Sequence, residues 1–417
     1  MSEHDPPAPS SAGSPAPVPG PEPAPAPMAV PEAVPAAGQV ASPGGTAAPV
    51  EPPARRRSRL RTWLWVVIPL LLLSAAVSSR IDLQYYAVQP GSAQPVQQFI
   101  TVPPGRATPV AHPVLLTDVQ LARVTALSYL FFKAQADTEL YPLPAVTGGT
   151  DPGELNAQGD LQMSQAIASA KTAALRHLGY TVPATPAGAV IAGTFPGSPA
   201  NGVLHVGDVV VALDGTPTLT ARALTDALAP HTPGQTVTFS VRKGGKGTPV
   251  PVRLTLERTT VEVGGQRLTL DVGIQPEDQV DYTYPFPVKI SVPDIGGPSA
   301  GLALTLGVID ALDGGSLTGG KTVAATGTMD AQGDVGDVGG VPQKTVAVGK
   351  AGATIFLVPD VERGAAQSKA RPGLHVYAVR TLDDAIRVLE ANGGRLGGVH
   401  PAAAPSSSAA APSAPAG

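Results

Sequence analysis

Apolar positions repeat with two different periods along this chain, and the changes of period mark out its elements. At 288–292, Val288, Ile290 and Val292 alternate with Lys289 and Ser291, which predicts a half-buried strand. After Gly296, Gly297 and Pro298, the residues Leu302, Leu304, Leu306, Val308 and Ile309 lie in an Ala/Leu-rich run of helical length. Apolar, β-branched runs at 236–242, 250–256, 354–358 and 374–379 predict further strands. Helical spacing predicts an amphipathic helix over 152–178, where Leu161, Ile167, Ala170, Ala174 and Leu178 share a face and Gly179 is the stop. A second such helix is predicted over 381–392, between the cap Thr381 and Gly393. The run 114–133 reads as strand passing into helix, and 80–111, with short apolar pieces between prolines, as a small β-rich connector. Strands and helices mixed in this order predict an α+β fold.

One segment shows neither period. Residues 62–79 (TWLWVVIPLLLLSAAVSS) are uncharged and mostly apolar, about the length needed to cross a bilayer at roughly 1.5 Å per residue. Arg55, Arg56, Arg57, Arg59 and Arg61 lie on its N-terminal side, while only Arg80 and Asp82 follow closely. The positive-inside rule then predicts a single-pass signal anchor with a cytoplasmic N-terminus and the remainder extracytoplasmic, at the cell membrane. A cleaved signal peptide is the competing reading, because Ala75-Ala76-Val77-Ser78 suits a signal peptidase; it would need translation to begin later, at Met28 for instance.

Composition changes this picture mainly at the ends. The 417 residues include 47 prolines and 47 glycines, and the prolines collect in 1–54 and 395–417, which have too little apolar surface to offset chain entropy and are expected to be disordered tails. A net charge of −4 gives no case for nucleic acid as a partner, and the absence of cysteine excludes disulfide and thiol chemistry.

The candidate chemistry sits between 294 and 350. Ser299 lies at the mouth of the predicted helix, after the glycine turn, where the first unpaired backbone N–H groups could face an oxyanion. A serine needs a base, and Lys344 is the candidate, because it follows the glycine turn 337–342 that opens a second short helix. An ordinary lysine, with a pKa of about 10.4, is protonated at neutral pH and must be desolvated to act as a base. Val341, Val346, Val348 and Ala351 supply apolar surroundings, and the nearest acids along the chain, Asp334 and Asp337, precede the turn.

With GGPSAG at 296–301, TG at 326–327 and DVGGVPQK at 337–344, the stretch 259–394 resembles the proteolytic domain of Lon-type serine endopeptidases. The resemblance implies Ser299 as nucleophile, Lys344 as general base and Thr326 as a hydroxyl that holds the lysine amine, with Gly297 and Ala300 as supporting neighbours of the serine. Many ATP-dependent members carry an acidic residue three positions before the serine; this chain has Gly296 there, with Asp294 nearby. The pieces LLTDVQLARVTALSYL, LQMSQA and AALRHLGY resemble the connecting region of membrane-tethered, PDZ-containing Lon-like proteases, so that 80–180 is expected to pack with the protease domain. Residues 187–257, with Gly197-Ser198-Pro199-Ala200 and the run from Leu204 to Gly215, resemble a PDZ domain of the bacterial protease-associated kind. Such domains capture an extended peptide at a sheet edge. The groove is expected between the strand near 189–192 and the helix 221–228; the usual Gly-Leu-Gly loop is missing, and Leu178-Gly179-Tyr180 is a poor substitute.

The combined reading is a membrane-anchored, ATP-independent serine endopeptidase with a Ser/Lys dyad. Its implied partners are unfolded or membrane-proximal protein substrates, a peptide on the PDZ module and copies of itself in a hexameric ring, with no nucleotide, cofactor or metal. Two motifs compete. Gly297-Pro298-Ser299-Ala300-Gly301 also fits the G-x-S-x-G elbow, with Asp360 and His375 following in order, but too little chain follows for the fold that motif needs. The run 315–322 matches the P-loop pattern with its context reversed, a helix before it and a strand after it, so no nucleotide is expected there. The other histidines lack metal-ligand spacing. A catalytically silent PDZ scaffold is the alternative from a different class, and the intact Ser299 and Lys344 argue against it.

Overall fold

The computed structural model describes residues 58–398, apart from 148–149, 264–265, 293–294 and 315. The expected tail 1–54, Asp294 and most of the expected tail 395–417 lie outside the described residues; 395–398 are described, and there the Arg395 N–H donates to the Ser316 carbonyl at 3.1 Å and Leu396 packs against the core. The chain divides into two compact units, 1–63 and 64–417; apart from the helix that runs across the boundary, everything below concerns the second. Helix Ser58–Ser78 covers most of the expected membrane segment, and its apolar side chains from Trp63 to Val77 are largely exposed. Among the described residues, no helix is long and apolar enough to cross a membrane.

The main body is built on a sheet that, among the described residues, has six strands in the order His375–Val379, Ile355–Pro359, Val323–Ala325, Leu115–Thr125, Asp82–Pro95 and Glu139–Pro142. The first four run parallel and the last two pair antiparallel. Half of this sheet comes from the region expected to be a connector. Strand alternation then sorts the side chains onto two faces. Leu116, Val323, Ala325, Ile355 and Leu357 enter one core with the helix Gly301–Asp313, while Leu115, Ala324, Phe356 and Val358 enter another with the helix Val341–Lys350. The helix after the serine is buried at every position, as its unbroken apolar run requires.

The helix Pro152–His177 forms as its spacing predicts, capped by Asp151 and closed by Gly179 at φ +82°, and it packs along Gly301–Asp313. Thr381 caps Leu382–Ala391 through the Asp384 N–H, and Thr125 makes a reciprocal capping pair with Ser128 where strand passes into helix. The strand predicted over 288–292 shrinks to Lys289–Ile290, because Pro287 and Pro293 flank it and a proline has no N–H for a ladder.

A second sheet holds the expected PDZ module, in the order Ile274–Tyr282, Ala184–Thr194, Val209–Leu213, Thr236–Arg242 and Val250–Thr255. Its own core centres on Ile191, Leu213, Leu224 and Phe239. The strand Ile274–Tyr282 lies beyond the expected boundary at 257 and pairs with Ala184–Thr194 along its whole length. The edge on which a peptide groove was expected, near 189–192, is therefore occupied by this chain. Asp278 of the added strand also caps the helix Ala221–Leu228, accepting from the Ala221 N–H at 2.7 Å.

Because Leu304 is fully buried between the sheet and the helix Pro152–His177, Leu304→Ala should cost about 2–5 kcal/mol. Urea unfolding checks this against Leu121→Ala, at a 53% exposed site, which should stay within about 0.5 kcal/mol of the parent.

Candidate active site

Ser299 and Lys344 approach one another from opposite faces of the main sheet, and they meet at the carboxyl end of its central strand. Thr326 follows directly on Val323–Ala325 and is fully buried at that end. Its hydroxyl donates to the Ser299 carbonyl at 3.2 Å and accepts from Lys344 Nζ at 3.2 Å. The Gly327 N–H also donates to the Ser299 carbonyl, at 3.1 Å, and the Gly327 carbonyl accepts from Leu302. Two consecutive residues at a strand end thus hold the serine turn and the lysine head together.

Close backbone approach explains two of the glycines. A Cβ on Gly301 would stand 2.6 Å from the Met329 nitrogen, so the serine helix can begin against the 328–329 strand only with glycine there. Gly340 caps the lysine helix at φ +69°, in the left-handed region, and a Cβ there would stand 2.7 Å from Val119 Cγ1. Pro342 follows in the first turn, where its missing N–H costs nothing.

Lys344 is only 2% exposed. Burial penalises its charged form and lowers its pKa to about 8, against the pull of the Asp118 and Glu362 carboxylates, which favour the ammonium. Asp118 is in turn fixed by Ser92, whose N–H and Oγ each donate to it at 2.7 Å. A lysine with a pKa near 8 is partly neutral at physiological pH and can accept a proton.

Ser299, Lys344 and Asp118 line a cleft of about 820 Å³ with Gly159, Asp160 and Ile295. The amides around the serine are not distributed as the sequence suggested. The helix's own first N–H groups, at Gly301 and Leu302, donate to the carbonyls of Pro298 and Gly327, and Gly297 donates to Gly159 at 2.9 Å. Among the described residues, the N–H groups of Ser299 and Ala300 make no backbone hydrogen bond, so the turn itself, and not the helix, carries the donors open to an oxyanion.

Neither Asp360 nor His375 lines the cleft; His375 begins the outermost strand of the main sheet and is exposed. In the P-loop-like run, Lys321 Nζ is bonded to Asn392 Oδ1 at 3.0 Å, and a strand follows, Val323–Ala325. Among the described residues, no group of three or more His, Asp or Glu is placed to hold a metal ion. Asp118 and Gly159 escaped the sequence reading as site residues, because both enter the site from distant segments; Asp118 stands in the piece LLTDVQLARVTALSYL, to which the resemblance attached no chemistry.

Residues 280–390 match the family model of the Lon protease (S16) C-terminal proteolytic domain, and residues 176–254 match that of the PDZ domain. A Lon protease of Chloroflexus aggregans is 33% identical over 96 residues, which is 22% of this chain and 11% of that protein. Lon protease 2 of Bacillus subtilis is 33% identical over 115 residues, 28% of this chain and 20% of its own length. The chain therefore spans between about a tenth and a fifth of the length of these curated relatives. Among solved structures, the PDZ domain of the SdrC-like protein from Listeria innocua is 24% identical, with a TM-score of 0.18, over 21% of this chain and 92% of that one. The matched proteolytic domain and the Lon relatives support a serine peptidase.

The Lys344 side chain should titrate with a midpoint near 8 when followed by its ¹³Cε chemical shift. Thr326→Val removes an acceptor that serves the ammonium better than the amine, so the midpoint should fall further; a rise would contradict the arrangement. The sign for stability follows from linkage. Between pH 8 and the ordinary value of 10.5, the unfolded chain binds the extra proton, so Lys344 makes stability rise with pH across that window. Lys344→Met should abolish that part of the rise in a pH series of unfolding curves.

Proposed function

We propose, from a Lon-type proteolytic domain joined to a PDZ domain, that this chain is a membrane-anchored serine endopeptidase that works without ATP. The observation that carries the chemistry is the buried amine of Lys344, lowered to about 8, in the same cleft as Ser299 and joined to the serine's backbone through Thr326. In the neutral form Nζ removes the Ser299 Oγ proton as that oxygen attacks the peptide carbonyl. The Ser299 and Ala300 N–H groups receive the developing oxyanion. Collapse of the tetrahedral intermediate breaks the C–N bond, and the Lys344 ammonium returns its proton to the leaving amine. Water, deprotonated by the same amine, then hydrolyses the acyl-enzyme.

Nucleotide independence is supported by the reversed context of the P-loop-like run and by the engagement of Lys321 with Asn392. Substrates would then be segments already unfolded or lying near the membrane. The anchor is supported by the uncharged apolar run 62–79 with arginines on its N-terminal side, and by the exposed apolar side chains of the helix Ser58–Ser78 from Trp63 onward. It would place the peptidase outside the cytoplasm. The PDZ domain supports peptide binding, which would deliver substrates or gate the cleft.

The test is cleavage of casein by the full chain in mild detergent, without ATP. Ser299→Ala and Lys344→Ala should each lower the rate by at least about a thousandfold, and His375→Ala should leave it unchanged. The parent's rate should rise with pH and reach half its plateau near 8, as the neutral amine accumulates. Turnover that survives Lys344→Ala but not His375→Ala would replace the dyad with the esterase-like site.

A further inference from the structure

One helix touches both modules. In Pro152–His177, Glu154 Oε1 accepts from the Thr194 N–H at 2.8 Å and from the Thr194 hydroxyl at 2.9 Å. Thr194 is buried and ends the strand Ala184–Thr194, the second strand of the PDZ sheet. Gln158 lies against the same strand, where a Cβ on Gly193 would meet its Nε2 at 2.7 Å. Further along, Gln165 donates to Glu277 on the edge strand Ile274–Tyr282 at 3.0 Å.

The other partner of this helix is the serine turn. Five residues after Glu154, the Gly159 carbonyl accepts the Gly297 N–H at 2.9 Å, two residues before Ser299. The contact is backbone on backbone, since a Cβ on Gly296 would stand 3.4 Å from Gly159 Cα. At the far end of the helix, Arg176 donates to the carbonyls of Ala331 and Val182, both at 3.0 Å. From Glu154 to Gly159 is about 7.5 Å of continuous α-helix, so the two contacts move as one body.

We propose that Glu154 is a positioning residue that couples the PDZ sheet to the catalytic turn. By clamping the last residue of a PDZ strand, it sets the height of the Gly159 carbonyl, and that carbonyl sets the Gly297 peptide plane and the presentation of Ser299. A peptide adding to the outer edge of Ile274–Tyr282 acts on the same helix through Glu277 and Gln165. The coupling rests on the peptidase reading for its effect on rate, but not for its effect on the turn.

Amide hydrogen exchange and kinetics on the full chain test the two separately. Glu154→Ala should speed exchange in 295–301 about tenfold and lower kcat on an unstructured peptide about tenfold, with KM within about twofold, the scale of one lost charge-assisted hydrogen bond. Glu154→Gln keeps an acceptor oxygen and should restore both, which general destabilisation would not allow. Should Glu154→Ala fail to fold, Gly159→Val probes the same link from the other end, and should speed exchange in 295–301 while leaving 184–194 as in the parent. Unchanged exchange in 295–301 in the folded variants overturns the proposal. A parent without Ser299-dependent hydrolysis sinks the peptidase reading, while the exchange data still decide the coupling.

Discussion

The burial of one amine constrains the rest of this structure. A lysine head can be held neutral near pH 8 only where water is excluded and opposing charges are kept at a distance. Here exclusion is achieved by placing Lys344 on a helix packed against one face of the main sheet, while the serine helix covers the other. Thr326, at the end of the strand between them, gives the amine a hydrogen-bond acceptor without adding charge. The serine's own geometry depends on the same strand end, because its carbonyl is held by Thr326 and Gly327 together.

This arrangement gives the region before the PDZ module more than a connecting role. Two long antiparallel strands, Asp82–Pro95 and Leu115–Thr125, carry the sheet outward from Val323–Ala325, and the lysine helix lies across both. Asp118 on the second of them, pinned by Ser92, brings a carboxylate into the cleft that favours the ammonium and keeps the lysine from falling further. Burial and the nearby carboxylates act in opposite directions and leave the amine within reach of neutral pH, where a general base is most useful.

The two modules also exchange chain. The PDZ sheet is completed by Ile274–Tyr282, which is contiguous with the proteolytic segment, and the helix Pro152–His177 spans the space from Thr194 to Gly297. A module whose outer strand and flanking helix belong to its neighbours is mechanically tied to them.

Much of this was legible from local pattern. Periodicity and caps gave the helices over 152–178 and 381–392 and the strands at 236–242, 250–256, 354–358 and 374–379, because each is fixed by neighbours within a few residues. The glycine turns identified Ser299 and Lys344 as candidates, since tight turns before helices leave a record in residue type. The strand Ile274–Tyr282 left little record, because Pro276, Glu277, Asp278 and Gln279 make it read as polar loop; it is a strand only because Ala184–Thr194 offers it an edge. The same holds for Asp118, for the Gly159 carbonyl and for the loss of the helix's first amides as oxyanion donors. Asp118 with Lys344 and Gly159 with Gly297 come from segments more than a hundred residues apart, and the Leu302 N–H is taken by Gly327, beyond the end of the serine helix; pairings of that kind are set by packing of the whole fold, which no local pattern encodes.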